Sequence, residues 1–288
     1  MKTKWLICNL GNPEKIDRLA YAVRETGRDA GITSLREIAE MYEQVDDTPD
    51  CIITMGSIWM NKALREVRPN WFGNFHNEKT FACSTYYSHL GKYITQQEYA
   101  MMPLSEIIRR HEWLYKTFGV DDTIFIRPDS GEKQFNGELV HQDRFKAWSE
   151  DVFFNKELDL TLMCVVAKPV QILKELRLVI AGSKVIAGST YRIARHLASE
   201  DLRLQEDMEQ VIQFAESIIS SNTLPFPPVY LFDIAIEKDR MSVLEVGCFC
   251  CCGLYECDRH AVAQGVSEAV EAAYVRFTET NLKKDITV

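Results

Sequence analysis

Three short stretches of this chain carry charged side chains in positions where charge is chemically useful. In IFIRPDSGEKQFNG, residues 124–137, Arg127 closes an apolar run, Gly131 and Gly137 permit a tight loop, and Lys133 lies within it. Two cations with free backbone N–H groups suit the oxygens of a triphosphate. The spacing does not fit the G-x-x-x-x-G-K-[ST] phosphate loop, and an exposed hairpin with ordinary surface charges accounts for this segment equally well. In KELRLVIAGSKVIAGSTYR, residues 174–192, Glu175 and Arg177 share one strand face by two-residue alternation and Arg192 follows the partner strand. Such a carboxylate can accept from ribose hydroxyls or hold a metal, and an arginine can stabilise charge on a transferring phosphoryl group. A solvated i, i+2 salt bridge, worth little energetically, is the competing reading. In VYLFDIAIEKDRMSVLEVGCFCCCGLYECD, residues 229–258, Asp233 and Glu245 each sit inside an apolar strand. A carboxylate is costly there unless it is paired or bound to a cation. Two of them on adjacent strands suit Mg²⁺, which takes one or two carboxylates together with phosphate oxygens; core carboxylates that only make hydrogen bonds are the alternative.

The elements that must position these groups read as alternating strands and helices. Residues 4–10 and 51–55 are short apolar strands, each followed by a helical pattern, over 13–26 and near 59–67. That alternation predicts a small parallel α/β unit. Residues 68–79 form a polar and aromatic connection, and 81–91 are rich in Tyr and His without clear periodicity. Pro103 opens an amphipathic helix over 103–118, with Gly119 just beyond its end, leading into a strand over 123–127. Residues 160–167 read as a buried strand, and 176–181 pairs with 184–191 across a Gly182-Ser183 turn. Residues 200–220 read as helical, 229–236 and 242–246 as a hairpin around 237–240, and 260–281 as the last helix. No internal repeat or low-complexity tract is present.

Composition bounds the function classes. The 288 residues are 46% apolar and carry a net charge of −9, which suits a mid-sized soluble enzyme. It disfavours broad binding to nucleic acid or to an anionic membrane. The first apolar run is interrupted by Asn9 and Gly11, too brief for a spanning helix or an ordinary signal peptide, so a cytoplasmic protein is expected. Nine cysteines in a chain of this size, five of them between Cys248 and Cys257, read as reduced thiols. Their spacing lacks C-x₂-C pairs, so small buried or cleft-lining thiols are preferred over a zinc or iron–sulfur site. None of the six histidines forms an H-x₃-H pair, and the aromatics Trp71, Tyr86, Tyr87 and Tyr93 read as packing residues.

Taken in order, the strings FIRPDSGEKQFNG, ELRLVIAGSKVIAGSTYR and FDIAIEKDRMSVLEVGCF followed by CCCGLY resemble the ATP-grasp superfamily. The resemblance is to its R2K clade, in which an arginine replaces the lysine of the first ATP-binding strand and a lysine has moved into the following loop. It runs over about residues 103–258. It implies an α/β (α+β) ATP-grasp fold, two α+β lobes clasping ATP, with a small Rossmann-like α/β N-terminal domain and connection over 1–102. The ATP-grasp domain is then 103–288, its N-lobe about 103–162 and its C-lobe about 163–288. Residue by residue, the resemblance makes Arg127 and Lys133 phosphate contacts and 163–168 the hinge beside adenine, with Val165, Val166 and Lys168 as ATP contacts. Glu175 and Arg177 become nucleotide or phosphate contacts, Asp233 and Glu245 the metal carboxylates, and Arg177 with Arg192 the groups facing the reacting phosphoryl or the acceptor. One departure stands out: the family usually has an asparagine ligand two residues after the second acid, where this chain has Gly247. The implied activity is an ATP- and Mg²⁺-dependent, ADP-forming carboxylate–amine or carboxylate–thiol ligase working through an acylphosphate. Its partners would be small-molecule or peptide carboxylate and amine substrates; the net charge leads us to expect no broad nucleic-acid binding and no membrane. The alternative is a nucleotide-binding assembly factor, since a eukaryotic translation-initiation-factor chaperone of the same clade is understood to grip a protein partner.

Overall fold

The computed structural model describes residues 3–8, 13–41, 50–132, 134–155, 158–221 and 224–285. The chain opens with β1 (Lys4–Cys8), α1 (Pro13–Glu25), β2 (Asp29–Thr33), α2 (Leu35–Met41), β3 (Asp50–Met55), α3 (Ile58–Val67) and β4 (Trp71–Phe72). These strands form a parallel sheet in the order β2-β1-β3-β4. Alternation along β1 sends Trp5 and Ile7 to one face, packed with Leu19 and Val23 of α1, and Cys8 to the other, packed with Met60 and Leu64 of α3. The two helices therefore cover opposite faces, as crossover connections between parallel strands require.

After α4 (Cys83–Leu90) come β5 (Tyr99–Pro103), α5 (Leu104–Arg109), α6 (His111–Phe118), β6 (Thr123–Pro128), β7 (Glu138–His141), α7 (Phe145–Glu150) and β8 (Met163–Ala167). Their strands make an antiparallel sheet, β5-β8-β6-β7. One face, with Ile124, Ile126, Cys164 and Val166, is buried under α5, α6 and α7. The single helix expected over 103–118 is two helices broken at Arg110 (φ −109°, ψ 15°). The His111 ring leaves the helical line there, stacking on Phe145 at 4.7 Å and bonding the Ile108 carbonyl. Residues 83–90, where no periodicity was read, are helical, and they bury Cys83, Tyr86, Tyr87 and Leu90.

The remainder comprises β9 (Lys174–Ala181), β10 (Lys184–Ile193), β11 (His196–Asp201), α8 (Met208–Ser221), β12 (Val229–Ile236), β13 (Met241–Cys248) and α9 (Arg259–Asp285). They build an antiparallel sheet in the order β11-β10-β9-β12-β13. The β9–β10 turn is where the sequence put it, with Gly182 at φ +64°, a conformation glycine adopts without steric cost. The helix expected from residue 200 starts only at Met208. Residues 196–201 pair with β10 instead, and the Asp201 carboxylate caps a following turn by accepting from the Arg203 N–H. Helix α9 packs Val262, Ala263, Val266 and Val270 between the first sheet and the five-stranded sheet, and the Trp5 indole donates to Ser267 at 2.9 Å. The opposite face of the five-stranded sheet, with Leu176, Leu178 and Phe232, packs on α8 and α4 and is continuous with Val165 and Ala167 of β8. Among the described residues no helix is long and apolar enough to cross a membrane.

Candidate functional site

A row of charged side chains crosses the five-stranded sheet on its α9-facing side. Register places Arg177 of β9 directly opposite Asp233 of β12, and Asp233 opposite Glu245 of β13. The last pairing depends on a β-bulge. From the turn, Ile236 faces Met241 and Ile234 faces Val243, and Leu244 is then the extra residue that brings Glu245 opposite Asp233. In a regular ladder without the bulge Leu244 would oppose Asp233, and Glu245 would oppose Phe232 and point into the other core, because a one-residue slip exchanges the faces of a strand. A second irregularity between Thr190 and Arg192 brings Arg192 opposite Glu175.

Arg177 and Asp233 form a bidentate ion pair, Nε to Oδ1 at 2.8 Å and Nη2 to Oδ2 at 2.7 Å. Both side chains are at most 10% exposed. The guanidinium also donates to the Gly253 carbonyl and lies over the rings of Tyr191 and Tyr255, which stack on each other at 5.1 Å. The Tyr191 hydroxyl donates to Asp233 at 3.4 Å. Burial acts against charge on Arg177, but Asp233 outweighs it and the guanidinium pKa stands well above its usual value. Burial pushes the Tyr191 phenol up as well, so it remains a donor.

Arg127 reaches the same row from the other sheet, donating from Nη2 to Glu245 Oε1 at 3.1 Å. Arg177, Asp233, Glu245 and Gly247 line a cavity of about 90 Å³ with Gly131 and Glu132 of the loop after β6. Lys133 lies outside the described residues. The cavity's far wall comes from the segment between β4 and α4 and from the cysteine segment: His76, Glu78 and Phe81 on one side, Cys248, Cys251 and Cys252 on the other.

The other expected contacts are placed differently. Val165 and Val166 lie in β8, bonded to β5 on one side and β6 on the other, so their backbone groups are engaged in the sheet. Val166 points into the core under α5–α7 and Val165 into the core shared by the two antiparallel sheets. Lys168 pairs with Glu98 at 2.8 Å just past the strand end. Glu175 is buried against the longer contact to Arg192 at 3.4 Å, and the Arg192 Nε is buried without a partner.

Sequence reasoning missed the group formed by Lys62, Glu78 and Glu132. Lys62 Nζ lies 2.6 Å from Glu78 and also contacts Glu132. Burial and then the hydrogen bond to Glu78 raise the Glu132 pKa, while the same bond and Lys62 lower that of Glu78, so the pair keeps its charge on Glu78. Nothing in the spacing of 62, 78 and 132 announces this; tertiary folding alone joins them. Burial keeps the neighbouring thiols protonated: Cys252 is pushed up to about 12, and Cys250 is raised well above the ordinary value. Among the described residues no group of three His, Cys, Asp or Glu could hold a metal. Asp233 and Glu245, opposite each other on adjacent strands, still fit the two-carboxylate share of a Mg²⁺ site whose other ligands are phosphate and water.

A family model for the ATP-grasp domain, R2K clade family 2, matches residues 96–265, more than half of the chain. The chain belongs to the ATP-grasp family. Solved structures agree in fold at low identity. D-alanine–D-alanine ligase from Bacillus anthracis superposes with a TM-score of 0.62 at 14% identity, over 97% of this chain and 99% of that one. The D-cycloserine synthetase DcsG gives 0.61 at 13%, over 93% and 99%. A RimK domain ATP-grasp protein from Sphaerobacter thermophilus gives 0.58 at 14%, over 93% and 99%. No curated protein matches this sequence. In this ATP-grasp chain the row from Arg177 to Glu245, with Arg127 above it, is the candidate nucleotide and metal end of the cleft.

Proposed function

We propose that this ATP-grasp protein is an ATP- and Mg²⁺-dependent ligase joining a carboxylate to an amine or thiol through an acylphosphate. The observation that carries the reading is the convergence of Arg177, Asp233 and Glu245 on one cavity, with Arg127 of the other sheet bonded to Glu245 behind it. Solved relatives of the same fold support it, among them the ligase from B. anthracis, which has been crystallised with ATP. In the first step a carboxylate oxygen attacks the γ-phosphorus and the bond to ADP breaks. In the second the amine nitrogen or thiol sulfur attacks the acyl carbon, phosphate leaves, and the nucleophile gives up a proton. Positioning and charge neutralisation do most of this work, so no protein nucleophile is needed. Arg127 and, with its loop, Lys133 hold phosphate oxygens; Arg177 is fixed by Asp233 so that its charge meets the reacting end without reorganisation. Arg192, with its unpartnered Nε, faces the acceptor side, and Glu175 orients it. Lys168, just past the end of β8, lies at the edge of the base. Mg²⁺, when held by Asp233 and Glu245, would neutralise phosphate charge.

The test is ³¹P NMR of purified protein with ATP, Mg²⁺ and a panel of acids and amines. ADP and phosphate, dependent on the acid and lost in Glu245→Gln, are expected. AMP and pyrophosphate as products would sink the acylphosphate. A second reading, a nucleotide-binding assembly factor without turnover, draws on one observation: both carboxylates are already neutralised by arginines and Gly247 offers no ligand. ATP binding without product, together with a stoichiometric protein partner from native extract, would favour it.

A further inference from the structure

A second chamber, about 450 Å³, lies beside the charged cavity. It sits at the carboxyl ends of β1 and β3, where the chain, having run outward from β1 to β2, returns to build β3 and β4 on the other side. Helices α1 and α3 leave these strand ends toward opposite faces. Open α/β sheets bind ligands at such topological switch points. The walls are mostly apolar: Ile7, Ile16 and Leu19 from β1 and α1, Met55 at the end of β3, Ile58 at the start of α3, and Leu254, with Lys15, Ser57 and Arg259 as the polar side chains. Thiols of Cys8, Cys251 and Cys252 complete them, and a free cysteine packs as a small hydrophobe.

Two features separate this chamber from a packing defect. It opens to solvent, and its volume falls within the range of ligand pockets, roughly 300–1,000 Å³. Its cysteine wall is also fixed. The Cys250 carbonyl accepts from the Gly56 N–H at 2.8 Å and from the Asn61 side chain at 3.0 Å. The Arg259 guanidinium donates to the carbonyls of Leu254, Tyr255 and Cys257. At the rim Lys15 is paired with Glu256. Ile58, Cys251 and Cys252 line both this chamber and the cavity holding Arg177, Asp233 and Glu245, so the two are adjoining compartments.

We propose that the chamber receives the apolar body of the acid whose carboxylate is activated next door, so that the substrate is a hydrophobic carboxylic acid with a medium-length aliphatic or aryl-alkyl chain. This rests on the ligase reading for the word activated, but not for the binding itself. The experiment separates the two. Acetate, butyrate, hexanoate and 3-phenylpropionate are titrated into the full chain without nucleotide, with affinity read by ligand-observed NMR. The same acids are then turned over with ATP, Mg²⁺ and hydroxylamine, whose nitrogen captures an acylphosphate as a hydroxamate with release of phosphate. Affinity should rise about 4-fold for each added methylene, the fold-change equivalent of about 0.8 kcal/mol per buried CH₂. Ile16→Trp, which fills the chamber from α1, should weaken hexanoate binding at least 10-fold while ATP affinity stays unchanged, and Ile16→Ala should shift the preference toward longer acids. Chain-length-dependent binding without hydroxamate would uphold the chamber and sink the ligase. Flat affinity along the series, no binding at all, or hexanoate affinity untouched in both Ile16 variants would overturn the chamber, whatever hydroxamate forms.

Discussion

Arg127 on β6 donates to Glu245 on β13 at 3.1 Å, and its other terminal nitrogen approaches the Leu244 carbonyl at 3.5 Å. One guanidinium thus joins the two antiparallel sheets at the bulged residue and its neighbour. The Arg127 side chain is 12% exposed, so most of its charge acts inside the protein.

A nucleotide entering the cleft must compete with Glu245 for Arg127. Arg127→Ala should weaken binding of ATP with Mg²⁺ at least 10-fold, about 1.4 kcal/mol, measured by titration calorimetry. Arg127→Lys should fall between, since an ammonium lacks the planar fork that grips two oxygens. Unchanged affinity in Arg127→Ala would leave Arg127 as a tie between sheets and nothing more.

The Arg177–Asp233 pair is buried more deeply, and removing one member strands the other. Arg177→Met should destabilise the fold by about 3 kcal/mol, read as a lower urea midpoint. Adding Asp233→Leu to it should recover most of that loss, because the uncompensated charge goes too. A double variant as unstable as the single one would move the cost to the contacts with Gly253 and Tyr191.

The strands carrying the site were legible because β12 and β13 are apolar runs each broken by one charged residue, and β9 alternates charge with apolar residues before its apolar end; such residues need a partner. The partners were less legible. Pairing Asp233 with Glu245 requires the extra Leu244 in β13, and alternation along one strand does not reveal a bulge. Val165 and Val166 read as a hinge by resemblance, yet β8 is flanked on both sides by strands, one of which, β5, gave no signal of its own. Residues 200–207 are polar enough to read as a helix start; β10 claims Glu200 and Asp201 as the end of β11 instead, and a short turn follows. Lys62, Glu78 and Glu132 come from three separate segments, so no local pattern could join them.

Gly247 lines the charged cavity where the family usually has asparagine. A Cβ built there would meet Leu231 at 3.7 and 3.9 Å, ordinary contact, so a side chain is accommodated. Gly247→Asn should therefore leave thermal stability within about 2 °C of the parent, a shift of about 1 kcal/mol in a chain this size. It should lower the Mg²⁺ concentration needed for half-maximal ATP binding severalfold, with Gly247→Ala unchanged. Equal Mg²⁺ dependence in all three proteins would remove Gly247 from the metal's surroundings.

Far from the cleft, Arg28 holds both carboxylate oxygens of Glu271, Nε at 2.8 Å and Nη2 at 2.9 Å, and the Thr3 hydroxyl adds a third bond. Those bonds, Arg28 foremost, lower the Glu271 pKa to about 2 and tie α9 to the first sheet. A folded-state pKa below the unfolded value of about 4.3 means that the stabilisation is complete above that pH. It is lost as pH falls from there toward 2. Because Glu271 is a quarter exposed, solvent screening reduces its worth to about 2 kcal/mol at pH 7. Glu271→Gln should thus lower the urea midpoint clearly at pH 7 and by much less at pH 3, where the parent carboxylate has begun to take up its proton. A gap between parent and variant that stays constant from pH 7 to pH 3 would show that shape, and not charge, is what Glu271 contributes.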